Sequence, residues 1–531
     1  MKKDSLYLDI FFLILLSIFS ILINFNFGNI GVFPTDTFAF FDTAYNILIN
    51  NHPFKDIWVT TGPLVDYVQS IFFRIFGVSW FSYILHGAIF NFLISITIYI
   101  TLIKFDLKSH FAFIYSASVA TLCYPVSGTP FAYQHSIVLS IISLMIFFLA
   151  IRSESKIYWF VLPITTGFSF LSMHVPSSYI IAVLSVGIIS YFFFHFDKEK
   201  IISFILGCIS FFLFILIFFL HFEIPFLNFI QQYILFPMSL GEYRITGNEY
   251  SHISLLDRFT FRGIFGHFKF IHLFSLIILV MLLFSLKRKN DFKYKQDLII
   301  FISLLSTTYL LIFHQLITSN QTFIFFIIPI LAGFSHVLLE KYIFKKNAYK
   351  ILILILVAFI SIKYNNEYNV NRKFMDLQNT DLKKSVDASL LDKKLKNLKW
   401  ITPFFNGKPI DEINLLKDSI KIIGDEKRNK MLITDYQFIS AVLEQNLNIP
   451  NRWYTAEGSS YPLKDHKYFK FYKSFFSKKI EKNKIEVIYI INNPQGDIKI
   501  ENFLIYLKNY CSNDIQNNNI LSTHLIKKCT N

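Results

Sequence analysis

Along the first two thirds of this chain, apolar residues fill uninterrupted stretches of helix length, separated by short polar connections, instead of alternating with polar residues. A bilayer core about 30 Å thick takes roughly 20 residues of helix to cross. About eleven stretches read as spans, near residues 7–27, 82–104, 111–126, 135–151, 157–172, 177–196, 201–222, 269–286, 297–313, 321–338 and 349–363, the third, fifth and last being short. Alternating segments of the kind that build transmembrane barrels are not the pattern. Because every backbone polar group in lipid needs an internal partner, the pattern predicts a polytopic α-helical membrane protein.

The pattern changes after residue 363. Residues 364–531 contain no spanning run and form a second predicted domain beside the membrane domain of residues 1–363. The lysine-rich stretch from Asn365 to Lys399 reads as a connector and first helix. MLIT, ending at Asp435, reads as a buried strand followed by an amphipathic helix. IEVIYIIN reads as a second strand, NPQGD as its turn, and ENFLIYLKNY as another helix. Strand and helix in alternation predict a small α/β domain.

Charge sets the orientation. Lys2 and Lys3, Lys104 and Lys108, Arg152 and Lys156, Lys198 and Lys200, the 287–295 cluster and the 341–346 cluster occupy alternate connections, which the positive-inside rule assigns to the cytoplasm. The N-terminus is then cytoplasmic. The connection 28–81 and the domain after residue 363 face the periplasm or exterior of a bacterial inner (cell) membrane. The formal charge of +15 is largely this topology signal, and it argues against a nucleic-acid partner. The first run follows two lysines, yet its apolar core exceeds that of a signal peptide and no small-x-small site follows Asn26, so it reads as a retained anchor. Of the four cysteines, Cys123 and Cys208 lie in spans, while Cys511 and Cys529 lie in the exported tail, where an oxidising compartment permits a disulfide.

Candidate chemistry concentrates in the loop 28–81. Apolar residues recur at helical spacing at Phe38, Phe41, Tyr45 and Leu48, and again at Leu64, Val68, Ile71, Phe72 and Ile75. Both stretches are too short or too polar to span, so they predict helices lying along the membrane interface, the second with Pro63 in its first turn. Asp36 stands just before the first of these. It reads either as a helix N-cap or as a carboxylate held at the membrane surface for chemistry. Asp42, six positions on, lies about 240° around a helix, so the two do not form a metal pair on one face.

In order, this loop gives an Asp after the first span, an amphipathic helix, Pro53-Phe54-Lys55-Asp56, and Gly62-Pro63-Leu64 opening a helix that ends in Phe-Gly-Val-Ser. The arrangement resembles the GT-C glycosyltransferases, including the protein mannosyltransferase and lipid A aminoarabinose transferase relatives. Weaker echoes are Gln231-Gln232-Tyr233, Gly241-Glu242-Tyr243-Arg244 and the ITSNQTF segment before the tenth span. Relatives often carry a second acid where this chain has Thr37, and another where it has Tyr133-Gln134-His135.

The resemblance implies a membrane glycosyltransferase that moves a sugar from a polyprenyl-phosphate donor to an extracytoplasmic glycan, lipid or protein. Transfer would be inverting, with Asp36 as general base. Asp56, Gly62, Pro63, Arg244 and His174 would bind substrate, and the last two, with Arg258 and Arg262, would supply positive charge to the leaving phosphate. No cofactor is required; a divalent metal is compatible with the chemistry, but no ligand motif calls for one. The alternatives are a many-helix glycan polymerase or ligase and a transporter of envelope glycans. Asp-x-Asp, Gly-x-x-x-x-Gly-Lys, Gly-x-Gly-x-x-Gly, Cys-x-x-Cys and His-Glu-x-x-His motifs are all missing, which argues against nucleotide-driven and dinucleotide chemistry.

Overall fold

The computed structural model describes residues 3–240, 259–285, 292–318, 324–342, 348–405, 407–455, 458–494, 496, 498–507 and 510–529. Each of the eleven apolar runs falls on a helix. Among the described residues, eight helices are long and apolar enough to cross a bilayer: Tyr7–Gly28, Trp80–Lys104, Ala132–Arg152, His174–Phe194, Lys198–His221, Arg262–Phe284, Lys295–Thr318 and Ala348–Met375. The other three, Ser109–Leu122, Ile157–Ser172 and Ile327–Tyr342, have 14, 16 and 16 residues. The protein is thus a polytopic helical membrane protein with a small mixed α/β sheet domain near its C-terminal end.

The chain divides into two compact units. The first comprises residues 1–28, 87–217 and 253–374 and holds most of the long helices. Its packing follows burial. Ala132–Arg152 is buried at every position except Arg152, whereas Lys198–His221 turns Phe212, Ile217 and Leu220 outward, as suits a helix against acyl chains. Helices inside the unit are fastened by small polar side chains, which allow close approach in lipid. Ser140 Oγ lies 2.6 Å from Ser169 Oγ, and Asn91 donates to the carbonyls of Ser20 and Ala120, both at 2.9 Å. The buried Asp297 carboxylate accepts from Arg152, Lys341 and Tyr342, gathering three connections at one end of this unit.

The second unit comprises residues 29–86, 218–252 and 375–531. Its main sheet contains β3 (Lys430–Thr434), β4 (Val487–Ile491), β5 (Tyr510–Gln516) and β6 (Leu521–Lys528) in the order β3-β4-β6-β5, after a short antiparallel pair, β1 (Val386–Asp387) and β2 (Lys399–Trp400). β3 and β4 pair in parallel and are buried at every position, which is why their sequences read as continuous apolar runs. Residues 29–86 are built into this same unit. Ile30 bridges to Lys399, Trp58 bridges to Asn451, and the Phe38 ring packs 4.7 Å from Phe438 and 5.8 Å from Trp400.

Three local expectations change and one holds. The helix Phe41–Leu48 does not lie along an interface. All but its last residue is buried, because it packs against Leu64–Phe76 and Ile439–Leu443, with Phe41 between the Phe73 and Tyr83 rings. Leu64–Phe76 does keep an exposed apolar stripe, at Ile71, Ile75 and Phe76. Asn365–Lys399 contains no long helix beyond the end of the last span, only short turns, since Asp381, Asp387 and Asp392 each accept the amide two residues on and so favour single turns. ENFLIYLKNY holds a helix of four residues only, Glu501–Leu504, and is followed by a hairpin closed by the Cys511–Cys529 disulfide, whose Cα atoms are 5.2 Å apart.

The bridge closes a loop between cysteines 18 positions apart, a size for which cross-linking stabilises by about 3 kcal/mol. The variant Cys511→Ser/Cys529→Ser is therefore expected to unfold at lower denaturant, by an equivalent of about 3 kcal/mol. An unchanged midpoint would show that the sheet closes without it.

Candidate functional site

Asp36 lies eight residues after the end of the first helix, Lys3–Gly28, within the four-residue helix Pro34–Thr37. Phe33 is extended and Pro34 takes the first helical position, where its fixed φ suits the turn. The turn is held from several sides. Thr37 Oγ1 accepts from the Phe33 amide at 2.9 Å, Tyr83 Oη donates to the Thr37 carbonyl at 2.8 Å, and the Trp453 indole donates to the Thr35 carbonyl at 3.1 Å. Upstream, Gly31 donates to the Lys399 carbonyl with φ +72°, and a Cβ there would meet Leu377 at 2.2 Å, so only glycine fits. Asp36 itself caps neither this helix nor Phe41–Leu48, whose flanking residue is Phe40 and which has no side-chain cap.

The Asp36 carboxyl is half-buried and pushed up to about 7, first by burial, then by the negative charges of Asp435 and Asp376. Asp435 follows the C-terminal end of β3. Asp376 is exposed and has a left-handed backbone, φ 55°. Both neighbours that act on Asp36 are acids. Among the described residues, no group of three His, Cys, Asp or Glu side chains is arranged to hold a metal ion.

Two other carboxylates of the same loop have different surroundings. Asp42 is fully buried and accepts from the amides of Ser440 and Ala441 at 3.1 and 3.0 Å, capping the helix Ile439–Leu443 from another part of the chain. Burial outweighs those amides and pushes its carboxyl up to about 7. Asp66 accepts from Thr43 Oγ1 at 2.5 Å and forms a fully buried ion pair with Arg452, which also donates to Thr61. The Arg452 guanidinium lies over the Phe40 ring at 4.5 Å and the Trp453 ring at 5.4 Å.

The remaining sequence candidates are distributed as follows. Gly62 and Pro63 are buried, Pro63 standing immediately before Leu64–Phe76 and beside Thr61 of the Arg452 pair. The Asp56 carboxylate accepts from the His52 amide at 3.0 Å and stabilises the 52–56 turn. Gln232 holds the same loop by accepting from the Val59 amide and donating to the Phe54 carbonyl, both at 3.1 Å. His174 belongs to the first unit, where it begins the helix His174–Phe194, and Arg262 is exposed at the start of a helical turn of that unit. Arg244 and Arg258 lie outside the described residues, as does most of ITSNQTF. Asp376, Asp435, Arg452 and Trp453 were not candidates by sequence. Only Asp435 carried a signal, at the C-terminal end of a parallel strand, where open α/β sheets place ligands.

No family model matches this chain, and no curated protein matches it. Among solved structures it is similar to ArnT from Cupriavidus metallidurans bound to undecaprenyl phosphate, at 10% identity over 96% of this chain and 97% of that one, with a TM-score of 0.48. It is also similar to the oligosaccharyltransferase of Archaeoglobus fulgidus in its apo form, at 13% identity over 92% of this chain and 70% of that one, with a TM-score of 0.43. The archaeal oligosaccharyltransferase AglB from Archaeoglobus fulgidus, in complex with an inhibitory peptide and a dolichol-phosphate, matches at 13% identity and a TM-score of 0.42 over 92% of this chain and 70% of that one.

Removing one partner of a buried ion pair leaves an uncompensated charge and costs about 3–5 kcal/mol. Arg452→Met is expected to lose stability on that scale, and Asp66→Leu/Arg452→Met to lose less than Arg452→Met alone, as read by denaturant unfolding of the purified protein. A single variant within about 1 kcal/mol of the parent would mean that the pair does not hold the loop.

Proposed function

We propose that this protein is a membrane glycosyltransferase of the GT-C type, transferring a sugar from a polyprenyl-phosphate donor to an acceptor on the extracytoplasmic side of a bacterial inner membrane. One observation carries the reading. Asp36 stands just past the first span in sequence, spends no hydrogen bond on capping, and is pushed to about 7 by burial and two neighbouring acids. A general base works best with a pKa near the operating pH. The order of motifs from Asp36 through Asp56 to Gly62-Pro63 supports the same reading.

In the proposed step the acceptor hydroxyl oxygen attacks C1 of the sugar while its proton passes to the Asp36 carboxylate. The bond from C1 to the phosphate oxygen breaks with inversion, and the polyprenyl phosphate leaves with the electron pair. Arg244 is proposed to stabilise that leaving phosphate, and a charged fork suits the task. Asp56, Gly62 and Pro63 serve by shaping the loop that carries the base.

Asp36→Asn keeps the shape of the turn and removes the proton acceptor. It is expected to lower transfer from a lipid-linked sugar by roughly 10² to 10⁴. Parent kcat/KM should rise with pH through about 7 and then level off, as Asp36 ionises. Stability runs the opposite way. The folded state holds the Asp36 proton above its ordinary pKa of 3.8, so its contribution is full below about 4 and is lost as pH rises through about 7. At pH 8 the Asn variant is thus expected to be at least as stable as the parent while inactive. Full transfer by that variant would sink the assignment.

Orientation is checked separately. Reporter fusions after Lys289 and after Lys399 should report opposite compartments, and matching signals would reverse the proposed side for Asp36.

A further inference from the structure

The second unit contains a cavity of about 480 Å³ lined by the 51–56 segment, Asn228 and the C-terminal half of the helix Phe469–Lys482. Its walls carry four ammonium groups, Lys55, Lys478, Lys479 and Lys482, against the carboxylates of Asp56 and Glu481. The positive excess is not consumed locally. Lys55 is paired with Glu223 at 3.0 Å and Lys482 lies 3.6 Å from Asp56, but Lys478 and Lys479 have no carboxylate partner among the described residues.

Lys479 is the unusual member. It is nine-tenths buried, and its ammonium donates to the carbonyls of Asp56 and Ile449, the latter at 2.8 Å. An ammonium has three donors, so two carbonyls leave one over. Burial pushes this group down to about 8, the Asp56 carboxylate offsetting part of that and the Lys482 charge adding to it. The Asp56 carboxylate offsets only part of the cost of keeping this cation dry, and an anion in the cavity would offset more. Asn51 and Asn228 add amide donors and acceptors at the rim, and each has already spent one N–H on the protein.

We infer that this cavity is an anion subsite that takes a phosphate carried on a polyol, with Lys479 at its floor and Lys478 and Lys482 at its mouth. The volume admits a sugar phosphate and the walls suit hydroxyl groups. A free sugar phosphate and the phosphate-polyol headgroup of a lipid share this chemistry. The inference rests on the proposed transferase reading only in giving the bound group a role, that of anchoring a charged acceptor while another part of it reacts.

The test is equilibrium binding to the full-length protein in phosphatidylcholine nanodiscs, with glucose 1-phosphate as probe and glucose as the neutral control. Glucose 1-phosphate is expected to bind saturably and more weakly as salt rises, and glucose not to bind. Lys478→Gln/Lys482→Gln changes exposed side chains only and is expected to weaken the phosphate probe at least tenfold; Lys479→Met, if it folds, should abolish binding. Nanodiscs containing phosphatidylglycerol separate the sources. Competition with the probe assigns the site to a lipid headgroup, and undiminished binding assigns it to a sugar phosphate. Absence of saturable binding, or equal binding by the double variant, overturns the subsite. Asp36→Asn is expected to bind the probe normally. Failed binding with an inactive Asp36→Asn removes the subsite and leaves the enzyme reading standing, and normal binding with an active Asp36→Asn does the reverse.

Discussion

The buried pair of Asp66 and Arg452 is the constraint on which the candidate site depends. Neither side chain is exposed, so each charge must be met by the other and by the hydroxyls of Thr43 and Thr61. Such a pair is weak evidence for net stability, because desolvation consumes most of the attraction, but it fixes geometry strongly since either partner alone is intolerable. It ties the loop after the first span to the segment 451–455 within one folded unit. Trp453, next to Arg452, then reaches the Thr35 carbonyl and holds the turn that presents Asp36. The bridge from Trp58 to Asn451 and the cap of Asp42 on Ile439–Leu443 fasten the same two stretches at other points.

Three carboxylates in one loop illustrate how environment divides labour between like groups. Asp66 is matched by a guanidinium and serves as a fastener. Asp42 is matched by two amides and serves as a cap; burial raises it to about 7 as well, but it is fully enclosed. Asp36 has neither; its electrostatic neighbours are Asp435 and Asp376, and its partial exposure leaves it open to a reactant. Charge repulsion around an uncapped carboxylate is destabilising, and sites where a fold tolerates such a cost are where function is to be sought.

Much of the fold was legible because it follows local periodicity. Apolar runs of helix length became helices, and the two strands buried on both faces announced themselves as MLIT and VIYII. The hairpin Tyr510–Lys528 was not legible, since YCSNDIQ is polar and mostly exposed, and its pairing is set by a partner strand and a disulfide. The helix Phe41–Leu48 was legible as a helix but not as a buried one, because one element that covers it, Ile439–Leu443, comes from far along the chain. The same limit applies to the site. Asp36 stood out by its place after a span, while Asp376, Asp435 and Arg452 reach its neighbourhood only through long-range folding, which no local pattern records.

The central claim is that Asp36 is a carboxylate held ready to take a proton near neutral pH, and its titration tests this directly. Infrared difference spectra of the full-length protein in nanodiscs, taken across pH 4 to 9 for the parent and for Asp36→Asn, isolate its protonated-carboxyl band by subtraction. The band should be present at pH 5, vanish with a midpoint near 7, and be missing from the variant. A difference band with a midpoint near 4, the ordinary range of an exposed aspartate, would contradict the claim.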